Sequence, residues 1–566
     1  MKLLVISGGS GNDALIRGLK CYYPDIQCKV LVNAYDNGKS TGVCRAVTDT
    51  LGVSDIRKNH YRMYKATTNS LNQSWKEFFE SRYDFEKGKE AEQISEKLTL
   101  WGLGNLISYV LNFFGRPESK QYEYKDFNVS NIVYSEMYSE LGYSYTNSYF
   151  CNMLGIDDFV ILNSFDNVYI EGVTESGVHL DEGKLVEWKN PEDKIVNLDY
   201  VRNQAYVTRL NPEAVHAIKE ADYIVISTGT FWSSILPTIE YGSLYQYINE
   251  SKAKKLWAIN CEQDADSYGV SNIDFAHIME NAGLDLSDFT ILLNNDATSI
   301  LRMPDSDYKQ QFESMENNAG GKHNSDKYAR AVLKYYYGLT DNIEHLLLDF
   351  DDTLWKRSDC YAKVNASNVS LLVDFPMDVQ IVSGNSYSSI RKKLSTVFGS
   401  LLTGFDVPIW ANAAAEKFLH NKVVDSISSF LTEQQKSDIL NKLSALKLPV
   451  EQIDGKGEIP YIKIKPLDET SRILLVELYN QYLRYELQCP DSFAVATGKT
   501  TVDILASEDN KSMVAEYLAT LQDLSKTLYI GDEVDSGNDN LIATMCGYSI
   551  HTSGPEETNC VLRLLK

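Results

Sequence analysis

The stretch that most constrains this chain is His345-Leu346-Leu347-Leu348-Asp349-Phe350-Asp351-Asp352-Thr353-Leu354-Trp355. Leu346 to Leu348 is a short apolar run of the length of a buried strand, and it stops at three carboxylates within four positions. Carboxylates crowded at a strand end require a cation. At the carboxyl edge of a parallel sheet, where open α/β folds bind ligands, Asp349 and Asp351 would flank a divalent metal and leave an oxygen free to attack phosphorus. The run therefore suggests Mg2+-dependent phosphoryl transfer, the alternative being an acidic turn that merely caps the next helix.

Three later stretches supply the missing parts in order. Val379-Gln380-Ile381-Val382-Ser383-Gly384-Asn385 is a strand that ends in a hydroxyl and a glycine, suited to a phosphate oxygen. Lys511, after the strand-like Thr501 to Leu505 and at the head of the helical pattern Ser512 to Leu518, is placed to offset charge on a nucleophile and a transferring group. Thr527 to Gly531 is a further strand, ending in the acidic loop Asp532-Glu533-Val534-Asp535-Ser536-Gly537-Asn538-Asp539. Together these pieces resemble motifs one to four of the haloacid dehalogenase (HAD) phosphatase superfamily, over about residues 343–566. The resemblance implies Asp349 as nucleophile, Asp351 as general acid and base, and Ser383 and Lys511 as phosphate binders. It implies Asp349, Asp351, Asp532 and Asp539 around the metal, with Asp535 competing for the place of Asp539 and Lys499 second to Lys511. The insertion at about residues 402–495 mixes strand-like and helical runs and looks like a C2-type cap, which implies a small phosphorylated metabolite as substrate.

Composition narrows the class. A chain of 566 residues exceeds one core, so at least two domains are expected. A net charge of −24 argues against a nucleic-acid surface, because that binding rests on neutralising phosphates. The nine cysteines include no Cys-x-x-Cys pair, and no window is apolar enough to span a bilayer, so a cytoplasmic protein away from membranes is expected. The 36 tyrosines suggest a surface for self-association as a homo-oligomer.

At the start of the chain, Lys2 to Ile6 reads as a buried strand followed by the turn Ser7-Gly8-Gly9-Ser10-Gly11-Asn12 and a helix. Glycines there let an anion approach backbone N–H groups at the positive end of the helix. A second strand runs into Asp36-Asn37-Gly38-Lys39-Ser40-Thr41-Gly42, and Ser54-Asp55-Ile56-Arg57 and Gly104-Asn105-Leu106 follow. In this order the pieces resemble the CofD/YvcK family, whose fold is Rossmann-like, over about residues 1–300. Ser227-Thr228-Gly229-Thr230 is similar to that family's second phosphate-binding loop. The resemblance implies binding of a nucleoside diphosphate conjugate or nucleotide sugar by Gly8, Gly9, Ser10, Gly11, Asp36, Asn37, Gly38, Lys39, Ser40, Asp55, Arg57, Asn105, Thr228, Gly229 and Thr230. Here Tyr35 stands where an acidic residue often precedes Asp36, which disfavours deazaflavin chemistry.

The expected architecture is thus α/β with two Rossmann-like three-layer domains: a nucleotide-conjugate domain at 1–315, a linker at 316–342, and a HAD core at 343–566 interrupted by its cap. The expected function is a bifunctional enzyme, a transferase fused to a phosphomonoester hydrolase with Mg2+ as cofactor. The alternative is a nucleotide-sugar sensor that regulates the hydrolase.

Overall fold

The computed structural model describes the chain except residues 10, 69, 203–207, 296–302, 304–307, 317–322, 400–401, 403–404, 428–430, 446–449, 455–460, 486–493, 498–501, 506–509, 536 and 538. It divides into two compact units, Met1–Tyr336 and Tyr337–Lys566. No helix among the described residues is long and apolar enough to cross a membrane.

The first unit is built on parallel strands β1 (Lys2–Ile6), β2 (Gln27–Val32) and β3 (Val160–Leu162). A small antiparallel sheet of β4 (Val168–Thr174), β5 (His179–Asp181) and β6 (Ile195–Arg202) branches from it. The main sheet is completed by β7 (Tyr223–Ile226), β8 (Lys254–Ala258), β9 (Phe289–Asn294) and β10 (Lys309–Glu313). Its order is β10-β9-β8-β7-β1-β2-β3, so the chain leaves β1 toward β2 on one side and returns as β7 on the other. Such a reversal opens a crevice beyond the carboxyl ends of β1 and β7. The inner strands β7 and β9 are buried along their whole length because both faces are covered, whereas the edge strand β10 is polar and partly exposed. Asn211 caps the helix Pro212–Glu220 by accepting from Glu213 N–H at 3.0 Å, as its side chain and the following proline lead one to expect.

The expected linker is largely part of this unit. The helix Ser325–Tyr337 buries Tyr328, Ala329, Val332 and Leu333, and Tyr223 Oη donates to Val332 O at 3.0 Å. Its Ser325 carbonyl lies so near Gly18 that a Cβ there would stand 2.0 Å away. His323 meets Cys261 Sγ at 3.2 Å and lies against the Tyr328 ring at a tilt of 37°, and burial lowers its pKa to about 4.

The second unit has a parallel core of β11 (His345–Leu348), β12 (Asp378–Val382) and β13 (Ile409–Ala411), extended antiparallel by β14 (Glu416–Leu419) and β15 (Lys422–Ser426). A separate antiparallel sheet holds β16 (Val450–Asp454), β17 (Ile462–Pro466), β18 (Ala494–Thr497) and β19 (Val502–Leu505) in the order β16-β17-β19-β18. The core then resumes with β20 (Thr527–Gly531) and β21 (Tyr548–His551), giving the order β15-β14-β13-β12-β11-β20-β21. The inserted α/β module is present with shifted limits. Ile409–Ala411 pairs with β12 in the core, and Val502–Leu505, read as leading directly to Lys511, pairs with β17 and β18 in the insertion.

One buried titratable group makes the first unit's stability depend on pH. His60 Nε2 lies 2.6 Å from Asn147 Oδ1, and its Nδ1 lies 2.8 Å from Tyr134 Oη. An amide oxygen accepts and cannot donate, so Nε2 carries the proton and Nδ1 accepts from the tyrosine. Burial lowers the His60 pKa from 6.5 to about 4. A depressed folded pKa gives stability that is complete above the unfolded value and lost as pH falls toward the folded one. Unfolding free energy should fall by about 3 kcal/mol between pH 6.5 and 4 from this group. Denaturant melts of wild type and His60→Gln across that range should show a shallower slope in the variant.

Candidate functional site

In the second unit the register aligns three strand ends. Leu348 pairs with Ile381 on one side and Ile530 on the other, and Asp349 N–H donates to Ile530 O at 2.9 Å. Asp349, Ser383 and Asp532 therefore emerge together at the crevice where the strand order reverses. Among the described residues, Asp349, Asp532 and Asp539 each place a carboxylate oxygen within 4.8 Å of the others. Lys511 Nζ donates to Asp349 Oδ1 at 2.8 Å and to Asp539 Oδ1 at 2.5 Å. Burial by itself would lower the lysine pKa, but the two carboxylates outweigh it and hold the ammonium charged.

Asp539 is wholly buried, and Tyr529 Oη also donates to its Oδ1, at 2.8 Å. Its other oxygen, Oδ2, has no hydrogen-bond partner among the described residues. Gly531 makes room for it, since a Cβ there would stand 2.5 Å from that oxygen. An orphaned buried carboxylate oxygen beside two further carboxylates fits a hard divalent cation such as Mg2+. Asp535 lies apart from this group, with His551 Nδ1 at 2.5 Å, and it is Asp539 that sits beside Asp349 and Asp532. Ser383 is buried, and its Oγ accepts from Asn385 N–H at 3.1 Å. Lys499 lies outside the described residues.

Asp351 departs from the expected metal role. Its carboxylate lies outside the group of three: Oδ1 accepts from Lys393 Nζ at 2.6 Å and Oδ2 accepts from Asn385 Nδ2. The side chain is half exposed. From the insertion, Tyr461 Oη donates to Gly384 O at 3.2 Å and ties that module to the Ser383 loop.

In the first unit the glycine turn and the loop after β7 interlock. Thr228 Oγ1 donates to Gly11 O at 2.7 Å, and a Cβ on Gly11 would stand 1.8 Å from Thr228 O. Cβ atoms on Gly8 and Gly9 would meet Ser234 Oγ at 2.5 Å and Asp55 Oδ1 at 2.0 Å. Ser10 lies outside the described residues. Asp36 Oδ2 and Asn37 Oδ1 are buried without partners among the described residues, Gly38 stands at the N-cap of the helix Lys39–Thr48, and Lys39 is exposed at its head. Burial disfavours the ionised form of Asp36, but Lys58, Thr41 and the Gly38 N–H more than offset it and hold its pKa below the usual range. Asp55 is pushed up by burial, with Lys58 Nζ 3.6 Å away opposing.

Several expected ligand groups are already engaged. Gly229 N–H donates to Asn260 Oδ1 at 3.1 Å, and Asn260 Nδ2 returns a bond to Gly229 O at 3.0 Å. Thr228 and Gly229 thus brace the crevice with these groups, and Thr230 Oγ1 meets Ser233 and Ser234. Arg57 is buried and donates to Asn131 Oδ1 and Phe79 O, so it props the site from behind. Asn105 is exposed and donates to Tyr149 Oη at 2.5 Å, with no hydrogen bond to either loop among the described residues. The asparagine that does reach the loop is Asn131, whose Nδ2 donates to Ser40 Oγ at 2.8 Å and Thr41 Oγ1 at 3.2 Å. Lys58 and Glu182 were also missed. Glu182 is buried, its Oε2 has no partner, and burial followed by the nearby Asp36 raises its pKa well above the usual range. Asn128-Val129-Ser130-Asn131 ahead of an apolar helix was the available signal for Asn131; nothing local marks Glu182.

A model of the family described as 2-phospho-L-lactate transferase CofD matches residues 3–326. This chain belongs to the CofD family. A gluconeogenesis factor of Listeria monocytogenes is 24% identical over 324 residues, spanning 56% of this CofD-family chain and 84% of its own. Among solved structures, a upf0052-family protein from Bacillus halodurans is 20% identical with a TM-score of 0.45, covering 59% of this chain and 98% of that one. The C-terminal domain of a C. albicans trehalose-6-phosphate phosphatase is 16% identical with a TM-score of 0.31, covering 42% and 96%. The CofD match ends at 326, so the second unit stands on its own strand order and site.

The interlocked loops predict an asymmetry between glycines. Gly11→Ala should cost about 2 kcal/mol or more in unfolding of the first unit, because its Cβ meets backbone that has no free space. Gly38→Ala, whose Cβ meets nothing nearer than Asp36 Oδ1 at 3.5 Å, should stay within about 1 kcal/mol in the same denaturant melts.

Proposed function

We propose that the second unit is a Mg2+-dependent phosphomonoester hydrolase working through an aspartyl-phosphate. The observation that carries this reading is Lys511 lying between Asp349 and Asp539, with Asp532 completing the acidic group. Asp349 attacks phosphorus, the bond from phosphorus to the ester oxygen breaks, and Asp351 gives that oxygen its proton. Asp351 then takes a proton from water as the water oxygen attacks the phosphorus, releasing phosphate and restoring Asp349. Ser383 Oγ and Lys511 Nζ hold phosphoryl oxygens through both steps. Asp349, Asp532 and Asp539 would hold the magnesium ion, which when bound compensates the charge of the phosphoryl group. Tyr461 keeps the inserted module on the Ser383 loop, consistent with exclusion of water from a small phosphorylated metabolite.

For the first unit, we propose binding of a nucleoside-diphosphate-activated donor at the β1/β7 crevice and transfer of its phosphoryl-linked moiety. Asp36 Oδ2 and Asn37 Oδ1 are acceptors without donors among the described residues, and Glu182 Oε2 has no partner there either, which supports a ligand-borne cation or donor group there. The likeness to a gluconeogenesis factor leaves room for a second reading, in which this unit senses the nucleotide conjugate and tunes the hydrolase. Consumption of the conjugate by Asp349→Asn protein supports transfer. Tight binding without consumption, with a changed phosphatase rate in wild type, supports sensing.

Phosphate release from a panel of sugar phosphates should need Mg2+ and stop on chelation. Asp349→Asn should lower it on the order of 10³-fold or more. Equal rates for Asp349→Asn and wild type would end the hydrolase reading.

A further inference from the structure

Asp351 has to stand at the leaving-group side of the phosphatase site, yet it follows a short loop and is half exposed. An exposed carboxylate has several rotamers, and a general acid needs one. Two residues from the segment after β12 fix it. Asn385 Nδ2 donates to Oδ2, and Lys393 Nζ donates to Oδ1 at 2.6 Å.

Lys393 is well placed for this. It lies in the second turn of the helix Tyr387–Phe398, which is capped by Ser386 directly after the Ser383-Gly384-Asn385 loop. Helical side chains lean toward the helix N-terminus, so a long one from the second turn reaches back over that loop. The ammonium also lies 5.0 Å from the centroid of the Phe350 ring, the residue between the two catalytic aspartates. Its side chain is about four-fifths buried, so this cation is held at the site and does not wander in solvent.

Resting on the phosphatase reading, we propose that Lys393 is a positioning residue that holds Asp351 where it can protonate the departing alcohol. Lys393 itself touches neither phosphorus nor the metal ligands in this role. Its removal should matter in proportion to how much the leaving group needs a proton. An alkoxide cannot depart without one, whereas p-nitrophenolate can.

The test is steady-state hydrolysis with Mg2+ of an alkyl phosphate and of p-nitrophenyl phosphate by wild type, Lys393→Met, Lys393→Arg, Asp351→Asn and the Lys393→Met/Asp351→Asn double variant. Methionine keeps the stem over Phe350 without the charge. Lys393→Met should lose about 10-fold or more in kcat/KM, which reports only the steps up to departure of the alcohol, on the alkyl ester and about 2-fold or less on the aryl ester, while the shared second step slows kcat for both. Lys393→Arg should recover most of the alkyl rate, and the double variant should match Asp351→Asn alone. Equal losses in kcat/KM on both esters, additive losses in the double variant, or a shared rise in KM with kcat unchanged would overturn the proposal. Wild-type protein that hydrolysed neither ester would remove the phosphatase reading itself, whereas an active wild type insensitive to Lys393 would remove the positioning role alone.

Discussion

The second unit is organised around one buried ammonium. Asp349 and Asp539 are both nearly or wholly withdrawn from water, and an isolated buried carboxylate costs several kcal/mol. Lys511 bonds both, so no single carboxylate bears that cost alone. The rest of the arrangement serves this triad. Gly531 gives up its side chain to admit Asp539, Tyr529 donates to the same carboxylate, and the apolar cluster of Leu347, Val382, Trp410, Val514 and Ile542 packs the elements that deliver it. One lysine against three carboxylates leaves an excess of negative charge, and Asp539 Oδ2 remains without a donor. A site built this way can take a further cation, which is also what the proposed phosphoryl chemistry requires.

The first unit solves a related problem with backbone instead of charge. Its crevice is shaped by glycines that cannot carry a Cβ and by side chains that satisfy one loop from another. Several polar groups suited to an anion are spent on this bracing. The acceptors left over, on Asp36, Asn37 and Glu182, lie on the loop after β2 and on the small sheet's helical turn. Both units therefore put unsatisfied acceptors at the carboxyl edge of a reversed parallel sheet, with Lys511 or Lys58 as the neighbouring cation.

Much of this was legible in the sequence because buried parallel strands are short unbroken apolar runs, and the polar residue that ends each run must lie at the sheet edge. Asp349, Ser383 and Asp532 follow from that rule, and so do Gly8 to Gly11 and Asp36. What was not legible depends on partners far along the chain. Ile409–Ala411 and Val502–Leu505 look alike as strands, yet one pairs with β12 and the other with β17 and β18. Asn105 and Asn131 both head apolar helices, and the difference lies in which helix packs on the Lys39–Thr48 segment. Asp351 was read with the metal because it is two residues from Asp349, but Lys393 and Asn385, some forty residues on, draw its carboxylate aside.

The most direct measurement is a crystal structure of the full chain grown with Mg2+ and beryllium fluoride, a mimic of a phosphoryl group on a carboxylate. The account predicts beryllium bonded to an Asp349 oxygen, with Ser383 and Lys511 on the fluorines and one magnesium ion among Asp349, Asp532 and Asp539. Clear density for these side chains with neither ion bound, at concentrations that saturate known aspartyl-phosphate enzymes, would contradict it.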